Sequence, residues 1–268
     1  MLLVMDVGNT NAVLGVYAGR ELRASWRLTS RREQTADEYG VFIQTLLRGR
    51  GIDPGGITDV AISSTVPPVQ PILVEMASRY FGADPLVVEP GVNVPVPILV
   101  DSPREVGPDR LVNVVAGIAL YRPPLIIVDM GSATTFDCVS PRGEFIGGAI
   151  APGIASAAEA LVAKAARLFR VELVRPKEAI GRNTVTNVQS GVVYGYAGLV
   201  DGLVDRLRAE MDGPVTVVGT GGLIGLVRDV ARSIQVVNPD LTLEGLRIIY
   251  ERAGGGRRAG RRARAAPA

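Results

Sequence analysis

The sequence predicts an α/β protein of two duplicated lobes, each a mixed β-sheet with flanking helices, and three observations predict it. An apolar run ending in Asp-x-Gly occurs twice, at Leu3-Val4-Met5-Asp6-Val7-Gly8 and at Ile126-Ile127-Val128-Asp129-Met130-Gly131. One offset of 123 sets Asp6 on Asp129, Gly8 on Gly131, Asn9 on Ser132, Thr10 on Ala133 and Glu21-Leu22 on Glu144-Phe145. After each Asp-x-Gly the pattern continues as strand, turn, strand, then alternating helices and strands. The chain of 268 residues has room for two such lobes. They are expected over 1–106 and 107–253, with an Arg-rich segment, 254–268, read as a disordered basic extension.

The first lobe opens with strand Leu2–Val7, a Gly-Asn-Thr-Asn turn, strand Ala12–Tyr17, an Ala18-Gly19-Arg20 turn and strand Glu21–Leu28, a three-stranded meander. Thr35, followed by Asp37 and Glu38, predicts a capped helix running to Arg48. A strand at Asp59–Ser63, a helix begun near Pro68 and a short strand Leu86–Val88 follow. The proline-rich stretch Pro90–Pro108 reads as irregular, and a helix is expected over Arg110–Tyr121. In the second lobe the strand through Ile126–Met130 is followed by strands Phe136–Ser140 and Glu144–Ile150 around a Pro141-Arg142-Gly143 turn. Helices are expected at Ala155–Phe169, Val188–Met211 and Leu243–Arg252. A strand Val215–Val218 runs into Gly219-Thr220-Gly221-Gly222 and then a helix.

Composition excludes several chemistries. With no histidine there is no Ser-His-Asp triad, Cys-His pair or His-ligated zinc, and the single Cys138 forms no internal disulfide. Cys138 reads as a packing residue in a buried strand. Asp6 interrupts the N-terminal apolar run, so no export signal is read, and Pro152 and Glu159 break the apolar stretch 145–163. A cytoplasmic protein without a membrane span is expected. The net charge of +2 rests on Arg257, Arg258, Arg261, Arg262 and Arg264; without those five charges the rest carries −3. Nucleic acid is therefore not the expected partner, although the basic segment leaves that reading open.

Three places carry candidate chemistry. The loop Asp6-Val7-Gly8-Asn9-Thr10-Asn11 offers amides and a hydroxyl to phosphate oxygens and a carboxylate to a Mg²⁺ ion, directly or through water; it is also an ordinary Asn/Gly turn. Its repeat at Asp129–Thr135 makes a nucleoside triphosphate between two lobes the more specific reading. Gly219-Thr220-Gly221-Gly222 suits an adenosine, or is a plain strand-to-helix connection. No GxxxxGK[ST] or GxGxxG is present. At Gly107-Pro108-Asp109-Arg110, Asp109 either caps the following helix or takes a proton from a substrate hydroxyl. Arg110 can grip a carboxylate or phosphate.

Taken in order, Asp6–Asn11, Gly107–Arg110, Asp129–Asp137, Gly147–Gly153, Gly181–Thr184 and Leu241–Arg252 resemble the type III pantothenate kinases, over nearly the whole chain. That family has paired ribonuclease H-like lobes of the actin-like ATPase superfamily. The resemblance implies ATP-dependent phosphorylation of pantothenate to 4′-phosphopantothenate, the first committed step of coenzyme A synthesis, with Mg²⁺ and a monovalent cation, K⁺ or NH₄⁺. It implies that Asp6, Val7, Gly8, Asn9, Thr10, Asn11, Ala12 and Val13 form the first phosphate loop, with Asp6 near the Mg²⁺. Ser132 would contact ATP from the second loop. Asp109 would be the base, with Gly107, Pro108 and Arg110 beside the substrate, and Asp129 the monovalent-cation ligand. Thr184 would reach pantothenate across a dimer interface, implying a homodimer. Two positions depart from the family pattern: Ser132 replaces the usual threonine, and Val100 stands where many members have a substrate-contacting tyrosine. A non-catalytic nucleotide- or nucleic-acid-binding regulator and a related kinase or phosphohydrolase for another small acid are the competing readings.

Overall fold

The computed structural model describes residues Met1–Gly254. The expected basic segment thus lies, apart from Gly254, outside the described residues. The chain divides into two compact units. One holds Met1–Pro95, Ser102–Ala116 and the chain from Thr242; the other holds Val96–Asp101 and Gly117–Leu241. The sequence division at 106/107 falls just before one helix, whereas packing groups the start of that helix and all but the first residue of the last helix with the N-terminal unit.

In the first unit β1 (Leu2–Val7), β2 (Asn11–Ala18) and β3 (Glu21–Thr29) form the antiparallel meander, and β4 (Asp59–Ser64) and β5 (Leu86–Val87) extend it in parallel, in the order β3-β2-β1-β4-β5. Central β1 is apolar almost throughout and nearly all buried, while edge strand β3 alternates half-buried and exposed residues, as a one-sided strand must. Leu3, Met5, Leu14 and Val16 pack with Tyr39, Ile43 and Leu47 of α1 (Ala36–Gly49) and Leu73 and Met76 of α2 (Gln70–Phe81). Thr35 caps α1 as expected: its Oγ1 accepts from Glu38 N at 3.2 Å while Glu38 Oε2 accepts from Thr35 N at 2.7 Å. The buried part of α3 (Pro108–Leu120) also belongs here.

The second unit repeats the plan. Here β6 (Leu125–Met130), β7 (Ala133–Val139) and β8 (Phe145–Pro152) are antiparallel. Two parallel strands, β9 (Thr216–Thr220) and β10 (Val236–Val237), complete the order β10-β9-β6-β7-β8. Its core joins Ile126, Val128 and Phe136 to Ile154 of α4 (Ile154–Lys164) and to Tyr196, Val200 and Val204 of α5 (Thr184–Ala209). The final helix, α6 (Leu241–Arg252), lies almost wholly in the first unit.

Strand register deepens the duplication. Asp6 pairs with Val13 and Ser63, and Asp129 pairs with Thr135 and Thr220. The bulge between Val16 and Tyr17 recurs between Cys138 and Val139, four residues beyond those antiparallel partners in each unit. The offset of 123 therefore holds for β1 against β6 and β3 against β8. It is 122 for β2 against β7, because the turn after β6 is one residue shorter.

Helix ends differ from expectation. The helix expected over Ala155–Phe169 stops at Lys164, since the side chains beyond it are largely exposed and packing, rather than propensity, sets helix length. α3 begins at Pro108, so Asp109 sits inside the first turn, and α5 begins at Thr184 under a capping box of Asn183 and Thr186. After Gly222 only a single 3₁₀ turn, Ile224–Leu226, forms in place of a helix.

Candidate active site

The first Asp-x-Gly turn is closed by Gly8 N donating to Asn11 O at 2.9 Å. Its flanks are pinned from neighbouring segments: Thr65 N donates to Val7 O and Ser30 N to Thr10 O, both at 3.0 Å. Asp6 is partly buried at the end of β1, whereas Asn9 and Thr10 are exposed at the tip, so the loop is fixed at its base and open at its apex. Arg32, which the sequence patterns did not single out, donates from Nη2 to Asn9 Oδ1 at 2.9 Å and brings a positive charge to that apex. Ala12 and Val13 continue into β2 as sheet residues; Ala12 is buried and Val13 lies opposite Asp6.

Gly107-Pro108-Asp109-Arg110 occupies the start of α3, whose residues Leu111–Ala116 are all fully buried. Proline suits the first helical position because it lacks the N–H that would go unbonded there. The Asp109 carboxylate folds back over Gly107, where a Cβ would meet Oδ1 at 2.5 Å. Burial pushes the Asp109 carboxyl above the usual carboxylate range; the Arg110 backbone N–H and guanidinium oppose that rise without cancelling it. The arrangement is a half-buried carboxylate with the Arg110 guanidinium close enough to act on its charge.

In the second unit the turn at 131–133 is closed by Gly131 N donating to Ala133 O at 2.9 Å. Ser132 is exposed, and its carbonyl accepts from Ser156 Oγ at 3.0 Å. Gly153, which precedes α4, rests on the Gly131 and Ser132 carbonyls so closely that no side chain would fit. Behind Asp129, Gly221 at φ +93° fills the only space its neighbours leave: a Cβ would collide with Asp129 Oδ1 and the Met130 backbone. The third glycine turn thus supports the Asp129 loop. Val100 lies in a segment held along β8, with Leu99 N donating to Phe145 O at 2.8 Å. Thr184 is exposed in the first turn of α5, on a different element from Asp129 and Ser132.

The structure adds two residues that spacing did not reveal as a pair. Ser63 and Thr220 face Asp6 and Asp129 from equivalent parallel strands, both buried, and both hydroxyl oxygens lack a hydrogen-bond partner among the described residues. Only sheet register, which couples positions 57 and 91 residues apart, brings them beside the carboxylates. A carboxylate with a neighbouring hydroxyl is a hard oxygen donor set, the kind that Mg²⁺ and K⁺ take; no cluster of three or more His, Cys, Asp or Glu residues that could hold an ion without further ligands occurs among the described residues. Mg²⁺ keeps few protein ligands when nucleotide phosphates supply the rest, so the residues fit such an ion.

Comparison with known proteins decides the family. The family model for type III pantothenate kinase matches residues 2–206. A type III pantothenate kinase from Moorella thermoacetica is 53% identical over 252 residues, covering 94% of this chain and 99% of the relative. The chain belongs to the type III pantothenate kinase family. Its relative from Myxococcus xanthus is 52% identical over 94% of this chain and 98% of its own. In fold, the activator of the 2-hydroxyisocaproyl-CoA dehydratase from Clostridium difficile, solved with bound ADPNP, aligns with TM-score 0.58 at 13% identity, over 97% of each chain. The fold of two five-stranded mixed sheets with flanking helices is thereby shared with that structure, and as a member of its family the chain is an enzyme, a kinase. No described helix is long and apolar enough to cross a membrane.

Proposed function

We propose that the chain transfers the γ-phosphoryl group of ATP to the hydroxyl of pantothenate, giving 4′-phosphopantothenate and ADP for coenzyme A synthesis, with Asp109 as general base. The observation that carries the reading is the Asp109 carboxyl, half-buried in the first turn of α3 and folded back over Gly107 beside Arg110. In the ionised form it accepts the proton as the hydroxyl oxygen bonds to the γ-phosphorus. The bond from that phosphorus to the β,γ-bridging oxygen breaks, and ADP leaves with the electron pair. Arg110 grips the pantothenate carboxylate, with Gly107 and Pro108 shaping the turn. The Asn9 and Thr10 amides and the Thr10 hydroxyl bind phosphate, and Ser132 contacts ATP as well.

Asp6 would hold the Mg²⁺, directly or through water, and Asp129 the monovalent cation; when bound, these ions supply neutralisation of phosphate charge. Val100 cannot donate the hydrogen bond a tyrosine would, so its share of pantothenate recognition is apolar contact. Thr184, exposed on α5, would contact pantothenate as part of a homodimer.

The test is an ADP-release assay with ATP and Mg²⁺, with and without pantothenate, in K⁺, NH₄⁺ and Na⁺. Turnover that requires pantothenate and rises with K⁺ or NH₄⁺ is the expected result. ATP binding with no pantothenate-dependent turnover in any salt would reject the substrate and favour another small hydroxy acid.

A further inference from the structure

The last helix packs against the helix that carries Asp109. α6 buries Leu243, Gly245, Leu246, Arg247, Ile248 and Ile249, far more than a one-sided surface helix needs. Its Gly245 sits against the Val112 carbonyl of α3 so tightly that a Cβ would collide with that backbone oxygen. One turn earlier in α6, Thr242 Oγ1 donates to Asn113 Oδ1 at 2.7 Å, and Asn113 is 1% exposed. On the α6 side, Leu243 packs over Gly15 of β2, where a Cβ would lie 3.0 Å from Leu243 Cδ1, and the Arg247 guanidinium lies 5.6 Å from the Tyr17 ring centroid. α6 is thereby anchored to the same sheet that carries the Asp6 loop.

Val112 and Asn113 lie three and four residues after Asp109, on the next turn of the same helix. A rigid helix carries any shift of Val112 or Asn113 to Asp109 nearly undiminished, and the Asp109 carboxylate, folded against Gly107, has no flexible stem to absorb it. We infer that Thr242, Asn113 and Gly245 form a positioning clamp that fixes the height and rotation of α3, and through it the reach of Asp109 to the substrate hydroxyl. A misplacement of about 1 Å at a reacting group can cost about a hundredfold in rate. The clamp works by close backbone approach at Gly245 and by one part-buried hydrogen bond at Thr242; neither group is assigned a contact with substrate. The inference rests on Asp109 being the base, and the experiment separates the two claims.

Thr242→Val removes the hydroxyl at nearly constant shape, Thr242→Ser keeps it, and Gly245→Ala forces the helices apart. Steady-state kcat and KM are measured for each, and for Thr242→Val in the Asp109→Asn background. Thr242→Val should lower kcat at least tenfold with KM for ATP within twofold of wild type, and Thr242→Ser should return kcat to within threefold. In the Asp109→Asn background the same substitution should change the residual rate less than twofold, because the group it positions is gone. An equal loss in both backgrounds, or a Thr242→Val kcat like that of the core variant Leu73→Val, would overturn the clamp and leave Asp109 as base. Full activity of Asp109→Asn would overturn the base assignment and the clamp with it. Should Gly245→Ala fail to fold, the Thr242 series decides alone.

Discussion

Replacing Asp109 by asparagine should move activity and stability in opposite directions. Asparagine keeps the shape and one acceptor oxygen but cannot take a proton, so the loss is that of general-base catalysis, about 10²–10⁴ in kcat, or about 2.7–5.5 kcal/mol of barrier. Stability should rise, for a reason visible at the site: burial holds the folded Asp109 carboxyl above its ordinary value of 3.8. Below pH 3.8 the carboxyl is protonated in both folded and unfolded chains, and its contribution is fully present. As pH climbs towards the raised folded value, the unfolded chain ionises first, and wild type loses stability across that interval. The asparagine variant has no such loss, so its advantage should grow through the window and stay constant above it. Each kcal/mol recovered lifts the melting temperature by about 2–4 °C in a protein of this size. Melting curves from pH 3 to 8 beside ADP-release kinetics test both halves. Wild-type kcat in the variant, or a variant that melts below wild type at neutral pH, would refute the reasoning.

Other expectations are separate. Thr35→Ala removes the capping box of α1 and should cost about 1 kcal/mol in urea unfolding, without altering KM for either substrate. Asp201 accepts from Ser233 N at 2.9 Å and from Arg232 N at 3.2 Å. Asp201→Ala should cost about 1–3 kcal/mol by leaving buried Ser233 N unbonded. Burial alone would raise the Asp201 carboxyl, but the N–H groups of Ser233 and Arg232 outweigh it and hold the carboxyl below its ordinary range. Its stabilisation is therefore present above the ordinary carboxylate pKa and fades as pH falls through the lowered one, which acid titrations of wild type against Asp201→Asn would detect. Gly221→Ala combines a positive φ with collision against Asp129. It should lower the melting temperature and blunt the K⁺ response of turnover; an unchanged K⁺ titration would free Asp129 from that role.

The duplication could be read because Asp6 and Asp129 end equally apolar strands, and Gly8 and Gly131 mark the same turn. The Thr35 cap could be read because its partners are three residues away. What could not be read depended on register. Ser63 and Thr220 look like unremarkable strand hydroxyls until parallel pairing sets them opposite Asp6 and Asp129. Arg32 meets Asn9 across 23 residues of chain. The Ala-rich run to Phe169 reads as helix by propensity, but past Lys164 it has too little to bury against. Asp109 stands out by its Gly-Pro turn, whereas its place inside the first turn of α3, and so its partial burial, follows from Pro108 beginning the helix.

The seating of α6 in the first unit has a consequence for how the chain matures during synthesis. That unit opens at Met1 and is finished only by residues from Thr242 onward, while the strands of the second unit lie entirely between them. At about 5–20 residues per second, roughly 10–50 s separate the emergence of β1 from that of α6. Through that delay the slot over Gly15, Tyr17 and Val112 stands open, and the second unit has its full sequence outside the ribosome first. A chain truncated before Thr242 would carry that open apolar slot permanently, marking it for chaperones and proteases.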